Sequence, residues 1–277
     1  MQQKAEQKQM LQAEQQKRVE NVCDRALGLI GNNCEYLEQH LARTGVDKES
    51  RQAVADISAA AVQLERTFHE MTTLMDYLRM DEPPQLYPLE LRELLQQIEA
   101  QADMVRAQIG VEITLDYNGW TSCCVLADHS DAELLCLHLL SNALRACKEG
   151  GHVSISLHRG QTFWQLSMLD DGCGLPGGDA ESALENRRSF LGGAQLGLSL
   201  CREACRRMGW GLQIEPAPEH GTQAIVTIPL YSEQDAMDGV VELHTDSDVV
   251  REQRRYHLRA MLVREMRTMP ERGEPEE

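Results

Sequence analysis

The sequence predicts an α+β chain, an N-terminal antiparallel helical hairpin followed by a mixed α/β domain. Three observations carry this. Two stretches before residue 80 hold apolar residues at helical spacing. The segment Asp81-Glu82-Pro83-Pro84 then breaks the pattern. Beyond it, helix-period and strand-period segments alternate, which is how a sheet with packed helices reads.

Residues 1–18 are rich in Gln, Lys and Glu and read as a polar helix or tail. Residues 19–80 form the hairpin. Its first helix carries a stripe at Val19, Val22, Ala26, Ile30, Leu37 and Leu41, and Thr44-Gly45-Val46-Asp47 turns the chain. The second stripe, Val54, Ile57, Ala61, Leu64, Phe68, Met71, Met75 and Leu78, advances by alternating steps of three and four. That is the seam of a packed helix pair. Two such stripes on one hairpin predict a homodimer in which two copies form a four-helix bundle. The alternative is a hairpin packed on its own C-terminal domain.

Residues 81–230 form the second domain, introduced by prolines that stop the helix before them. Leu89–Gln108 reads as a helix, and Val111–Asp116 and Cys123–Leu126 as strands. Asp131–Cys147 reads as a helix with Asp128, Ser130 and Asp131 as start signals. Val153–Leu157 and Phe163–Leu169 form an antiparallel pair across Arg159-Gly160-Gln161-Thr162. A helix over Leu196–Met208 precedes strands near Leu212–Glu215 and Gln223–Pro229. Residues 231–277 are an acidic linker with an amphipathic, arginine-bearing helix at Val249–Met266.

A net charge of −17 excludes a nucleic-acid binder that needs a basic face. No apolar run approaches the roughly 20 residues that span a bilayer, so no membrane insertion is expected. The polar N-terminus lacks a signal-peptide core, and a cytoplasmic protein is expected. The nine cysteines sit mostly inside apolar patterns, without a CxxC pair, and read as buried thiols rather than disulfides or zinc ligands.

Asp170-Asp171-Gly172-Cys173-Gly174 follows the apolar run Phe163–Leu169. A carboxylate at a strand end, with glycines at alternate positions, suits a flat ligand that offers an N–H. His138 and Asn142 lie one turn apart on a single helix face. An asparagine there can give its amide oxygen to Mg2+, which takes oxygen ligands beside phosphates. Taken singly, each of these residues has a plainer reading, as a turn, a cap or a satisfied core histidine.

Four ordered pieces make the set specific. They are His138-Leu139-Leu140-Ser141-Asn142-Ala143, Asp170-x-Gly172-x-Gly174, Gly192-Gly193-Ala194-Gln195-Leu196-Gly197-Leu198, and Gly221-Thr222 before a final strand. Residues 81–230 thereby resemble the ATP-binding domain shared by sensor histidine kinases and the gyrase, Hsp90 and MutL ATPases. The resemblance implies an α/β sandwich with a mixed sheet covered by helices on one face, and ATP and Mg2+ as cofactors. It implies that Asn142 holds Mg2+ and that His138 helps orient the attacking group or the metal shell. Asp170 would accept the adenine amino group beside Gly172 and Gly174, with Thr222 near it. Arg145 and Lys148 would face the phosphates or solvent. Leu175–Gln195, including Gly193, would be a lid, and Leu196-Gly197 would open a helix whose free N–H groups face phosphate.

Three departures from the family pattern stand out. Gln195 replaces a glycine of the second glycine box, Phe190 is the lid's lone aromatic, and Asp24 stands where the hairpin's phosphoacceptor histidine belongs. His40 and His69 lie elsewhere in the hairpin. The resemblance implies a kinase passing phosphate to a response regulator. The departures leave open a degenerate kinase acting as an ATP-sensing dimeric scaffold. A serine kinase of the anti-sigma-factor type is a third reading, disfavoured by the long hairpin.

Overall fold

The computed structural model describes residues 22–231 apart from 24, 35, 38–39, 42, 44–46, 80–83, 148–149 and 175–195. The tail 1–18, Val19, the turn Thr44–Val46, the break Asp81–Pro83 and the helix Val249–Met266 lie outside these residues. The described chain divides between Thr72 and Thr73 into two compact units.

In the first unit residues 25–34 are helical, and helix α1 begins at Lys48 and runs to Arg79, into the second unit. Asp47 starts α1. Its carboxylate accepts the Ser50 N–H (2.8 Å) and the Ser50 hydroxyl (2.9 Å), and the Ser50 backbone bond chiefly lowers its pKa. This meets helix-end donors that no carbonyl reaches. The α1 stripe is left largely uncovered within one chain, with Ile57 54%, Leu64 61%, Met71 42% and Met75 37% exposed.

The second unit holds two sheets. β1 (Tyr87–Glu90) pairs antiparallel with β3 (Cys124–Ala127). The larger sheet comprises β2 (Glu112–Asp116), β4 (His152–Arg159), β5 (Phe163–Asp170), β6 (Gly211–Pro216) and β7 (Thr222–Pro229), in the order β2-β4-β5-β7-β6. β2 and β4 run parallel and the other neighbours antiparallel, so the sheet is mixed. Between the strands come α2 (Leu91–Ile109), α3 (His129–Ala146) and α4 (Leu196–Met208).

Register explains which face is buried. Ile155 pairs with Met168 and Leu157 with Leu166, while Leu166 meets Val226 and Trp164 meets Ile228. All of these are buried, whereas the alternate β4 residues Ser154, Ser156 and His158 are more exposed. Period-two alternation therefore gives one apolar face, against which α2, α3 and α4 pack. Leu94, Leu95, Leu135, Leu140, Leu144 and Leu200 fill the layer between. Asp128 caps α3 by accepting the Ser130 and Asp131 N–H groups.

The start of α2 corrects the sequence reading, which began a helix at Leu89. Tyr87–Glu90 is a strand instead. Glu90 secures it by accepting the Cys123 N–H (2.6 Å) and the Ser122 hydroxyl (2.6 Å). Helix α2 starts only where the Leu91 N–H reaches the Cys123 carbonyl (2.9 Å). The cysteines are free thiols, and burial pushes those of Cys136 and Cys205 up to about 12.

Candidate functional site

Asp170 ends β5, between Val153 of β4 and Thr222 of β7. It is a buried acid, 6% exposed. Its Oδ1 accepts the Gly172 N–H (3.0 Å) and the Thr222 N–H (3.2 Å). Among the described residues Oδ2 accepts no hydrogen bond. Burial pushes the carboxyl up to about 6, the two backbone N–H groups oppose the shift, and the Asp171 charge adds to it.

The glycines bring three segments together around this carboxylate. The Cys173 N–H donates to the Ala146 carbonyl (3.1 Å), the last residue of α3. A Cβ on Gly172 would overlap the Ala146 backbone. Gly221, at φ +95, packs so closely on Asp170 that a Cβ there would strike the Asp170 carbonyl. The first glycine turn, the end of the asparagine helix and the last glycine turn thus form one interlocked corner.

The other residues singled out in the sequence occupy the helices that meet there. Asn142 is half-buried on α3, one turn before Ala146, and His138 is buried one turn further back at 3% exposure. Arg145 is half-buried in the last turn of α3. Leu196 and Gly197 open α4, with Gly197 buried. Thr222 opens β7 and donates to Asp170. Gly193, Gln195, Phe190, Lys148 and the lid Leu175–Gln195 lie outside the described residues, as does Asp24. His40 is exposed and stacks on Tyr36, with ring centroids 6.1 Å apart; His69 is exposed on α1.

One contributor escaped the sequence reading. Asp171 accepts the His152 N–H (2.9 Å) and so fastens the start of β4 to the end of β5. Gly221, which the sequence reading named with Thr222 before the final strand, packs against the Asp170 backbone. A cavity of about 350 Å3 also opens beside Asp170, lined by His152, Leu169, Asp171, Pro218, Glu219 and His220. Asp170 itself lines this cavity, and no α3 residue is among its described lining.

Residues 127–232 match the model of the histidine kinase-, DNA gyrase B- and HSP90-like ATPases. This stretch is similar to the same domain in sensor histidine kinases.

The chain is 32% identical over 114 residues to the adaptive-response sensory kinase SasA of Prochlorococcus marinus (strain MIT 9303), covering 39% of this chain and 31% of SasA. It is 31% identical over 107 residues to the sensor histidine kinase WalK of Bacillus subtilis (strain 168), covering 35% of this chain and 18% of WalK. The chain therefore spans less than a third of the length of these relatives. In fold it is similar to full-length ShkA, solved in complex with AMPPNP, at a TM-score of 0.56 and 19% identity, covering 78% of this chain and 45% of ShkA.

The residues present fit a nucleotide. Among the described residues no group donates to Oδ2 of the buried Asp170, and glycines pack beside its backbone. Among the described residues no cluster of three or more His, Cys, Asp or Glu could hold a metal. No described helix is long and apolar enough to cross a membrane.

Proposed function

We propose that the chain is an ATP-binding, histidine-kinase-like signalling protein that takes part in two-component phosphotransfer to a response regulator. One observation carries the reading. The buried Asp170 carboxylate spends Oδ1 on the Gly172 and Thr222 N–H groups and keeps Oδ2 for a ligand donor. Asp170 accepts the adenine amino group, and Gly172, Gly174 and Thr222 shape the space around the base. Asn142 holds Mg2+ through its amide oxygen, and Arg145 faces the phosphates. Gly193, Leu196 and Gly197 meet the phosphate oxygens at the start of α4, where free N–H groups and the helix dipole favour negative charge. His138, one turn from Asn142, helps fix the metal shell or the attacking group. Mg2+-ATP, when bound, supplies a transferable γ-phosphoryl group, and the chain's own part is positioning and charge neutralisation.

The uncovered α1 stripe supports a homodimer built through the helical hairpin as a four-helix bundle. A second reading rests on Asp24, which cannot act as an imidazole phosphoacceptor. In that reading the dimer binds ATP and regulates a partner without phosphotransfer. Incubating the protein with γ-labelled ATP and Mg2+ separates the two. Acid-labile label that disappears in His40→Ala or His69→Ala, and in Asn142→Ala, supports the kinase. Nucleotide binding without label, alone or with a regulator, leaves the scaffold reading standing.

A further inference from the structure

Away from the glycine corner, three side chains close a buried ring. Tyr77, in the last turn of α1, donates its hydroxyl to Asp131 Oδ1 (2.7 Å). Arg207, in the last turn of α4, reaches Asp131 Oδ2 through Nε (3.1 Å). The Arg207 guanidinium lies 5.1 Å from the centre of the Tyr77 ring and so closes the cycle. Tyr77 is 7% and Asp131 4% exposed, and the Arg207 side chain is 9% exposed. Burial raises the Asp131 carboxyl, and burial together with the Asp131 bond raises the Tyr77 hydroxyl far above its ordinary range. A paired polar cluster of this kind is costly to break on one side only.

Its place in the fold gives the cluster a role. Asp131 sits in the first turn of α3, and Arg207 in the last turn of α4. The two helices therefore pack antiparallel, and the proximity of the Cys136 and Cys205 thiols fits that arrangement. The cluster closes one end of the pair. Asn142 and the Leu196-Gly197 start of α4 lie at the other, about 16 Å away along α3. Both helices run unbroken over that span. Any adjustment of the α4 start therefore moves Arg207, and Tyr77 makes the last turn of α1 part of the same body.

We propose that Tyr77, Asp131 and Arg207 act as positioning residues for the nucleotide site. They dock the end of α1 on the α3–α4 pair, so that nucleotide occupancy at one end of the pair and docking of α1 at the other are coupled. The inference rests on the nucleotide reading above. Coupling of this kind is reciprocal: nucleotide tightens the docking, and docking tightens nucleotide.

The test uses the full chain, Mg2+ and a non-hydrolysable ATP analogue, with binding measured by calorimetry on the same samples. Amide exchange over residues 73–79 should slow about threefold or more on saturation in the parent. In Tyr77→Phe, which keeps the ring and loses one bond, baseline exchange of that turn should rise about tenfold. The slowing by analogue should largely vanish, and analogue affinity should fall about threefold. A purely structural role would raise exchange equally with and without analogue and preserve the ratio, which overturns the proposal. So does an unchanged exchange rate over 73–79 in a parent that demonstrably binds the analogue. No binding at all overturns the nucleotide reading, and this proposal with it.

Discussion

In the proposed role Asp170 accepts an amino N–H best as a carboxylate, yet its surroundings favour its neutral form. Burial raises its pKa to about 6. A carboxyl raised on folding contributes stability that is fully present below its unfolded pKa near 3.8 and is lost as pH rises through about 6. Asp170→Asn removes this penalty. The variant should therefore gain about 1–2 kcal/mol relative to the parent between pH 4 and pH 7, read by urea denaturation at both pH values. The same substitution should weaken adenine-nucleotide binding at pH 7 by roughly 10- to 100-fold. In the parent, affinity should drop as pH falls below about 6, and the variant should lose that dependence. If Asp170→Asn binds as tightly as the parent, the assignment of the adenine acid is wrong. Sequence pointed to Asp170, Asn142 and Thr222 because their motifs carry chemistry at fixed order. It could not point to Tyr77 and Arg207, which meet Asp131 across 54 and 76 residues and belong to no motif.

Among the elements, α3 was readable because its own residues specify it: Asp128 caps it, and an apolar face follows. Asp128→Ala should cost about 1 kcal/mol, measured as a fall in the unfolding midpoint. β1 was unreadable for the opposite reason. Its four residues carry no decisive local preference, and they are a strand because β3 and Glu90 hold them there. The glycine corner belongs to this scale as well. Gly172→Ala must push the new Cβ into the Ala146 backbone, and Gly221→Ala meets both Asp170 and a positive φ. Each should destabilise by about 1–3 kcal/mol or more, with Gly221→Ala the worse because backbone strain adds to overlap. Equal melting temperatures for these two variants and the parent would rule out the close packing of the corner.

For the whole molecule, the spacing along α1 and its exposure raise the same question. Leu64 is 61% and Ile57 54% exposed in a single chain, on a seam that reads as a packing surface. A solvent-facing helix has no use for such a stripe. If a second copy covers it, sedimentation should give twice the single-chain mass of 31.2 kDa for the parent, and the single-chain mass for Leu64→Lys. A monomeric parent would overturn the dimer. The mixed sheet itself was only partly visible beforehand. Each strand except β1 showed in its apolar pattern, but the parallel pairing of β2 with β4 is set by α3 crossing between them and carries no local signature.

The place of β7 in the sheet fixes when this site can exist during synthesis. Among the described strands β7 is the last made, yet it lies between β5 and β6, and β6 has no other described neighbour. Asp170 waits for a donor that emerges 52 residues later. At ordinary elongation rates that is a delay of about 3–10 s. During it the acid holds only the Gly172 donor, and β6 has nothing to pair with. On the proposed nucleotide reading, a ribosome stalled before Thr222 would hold a chain with the helices of the pocket complete and no binding competence, and competence should appear in one step once β7 is released.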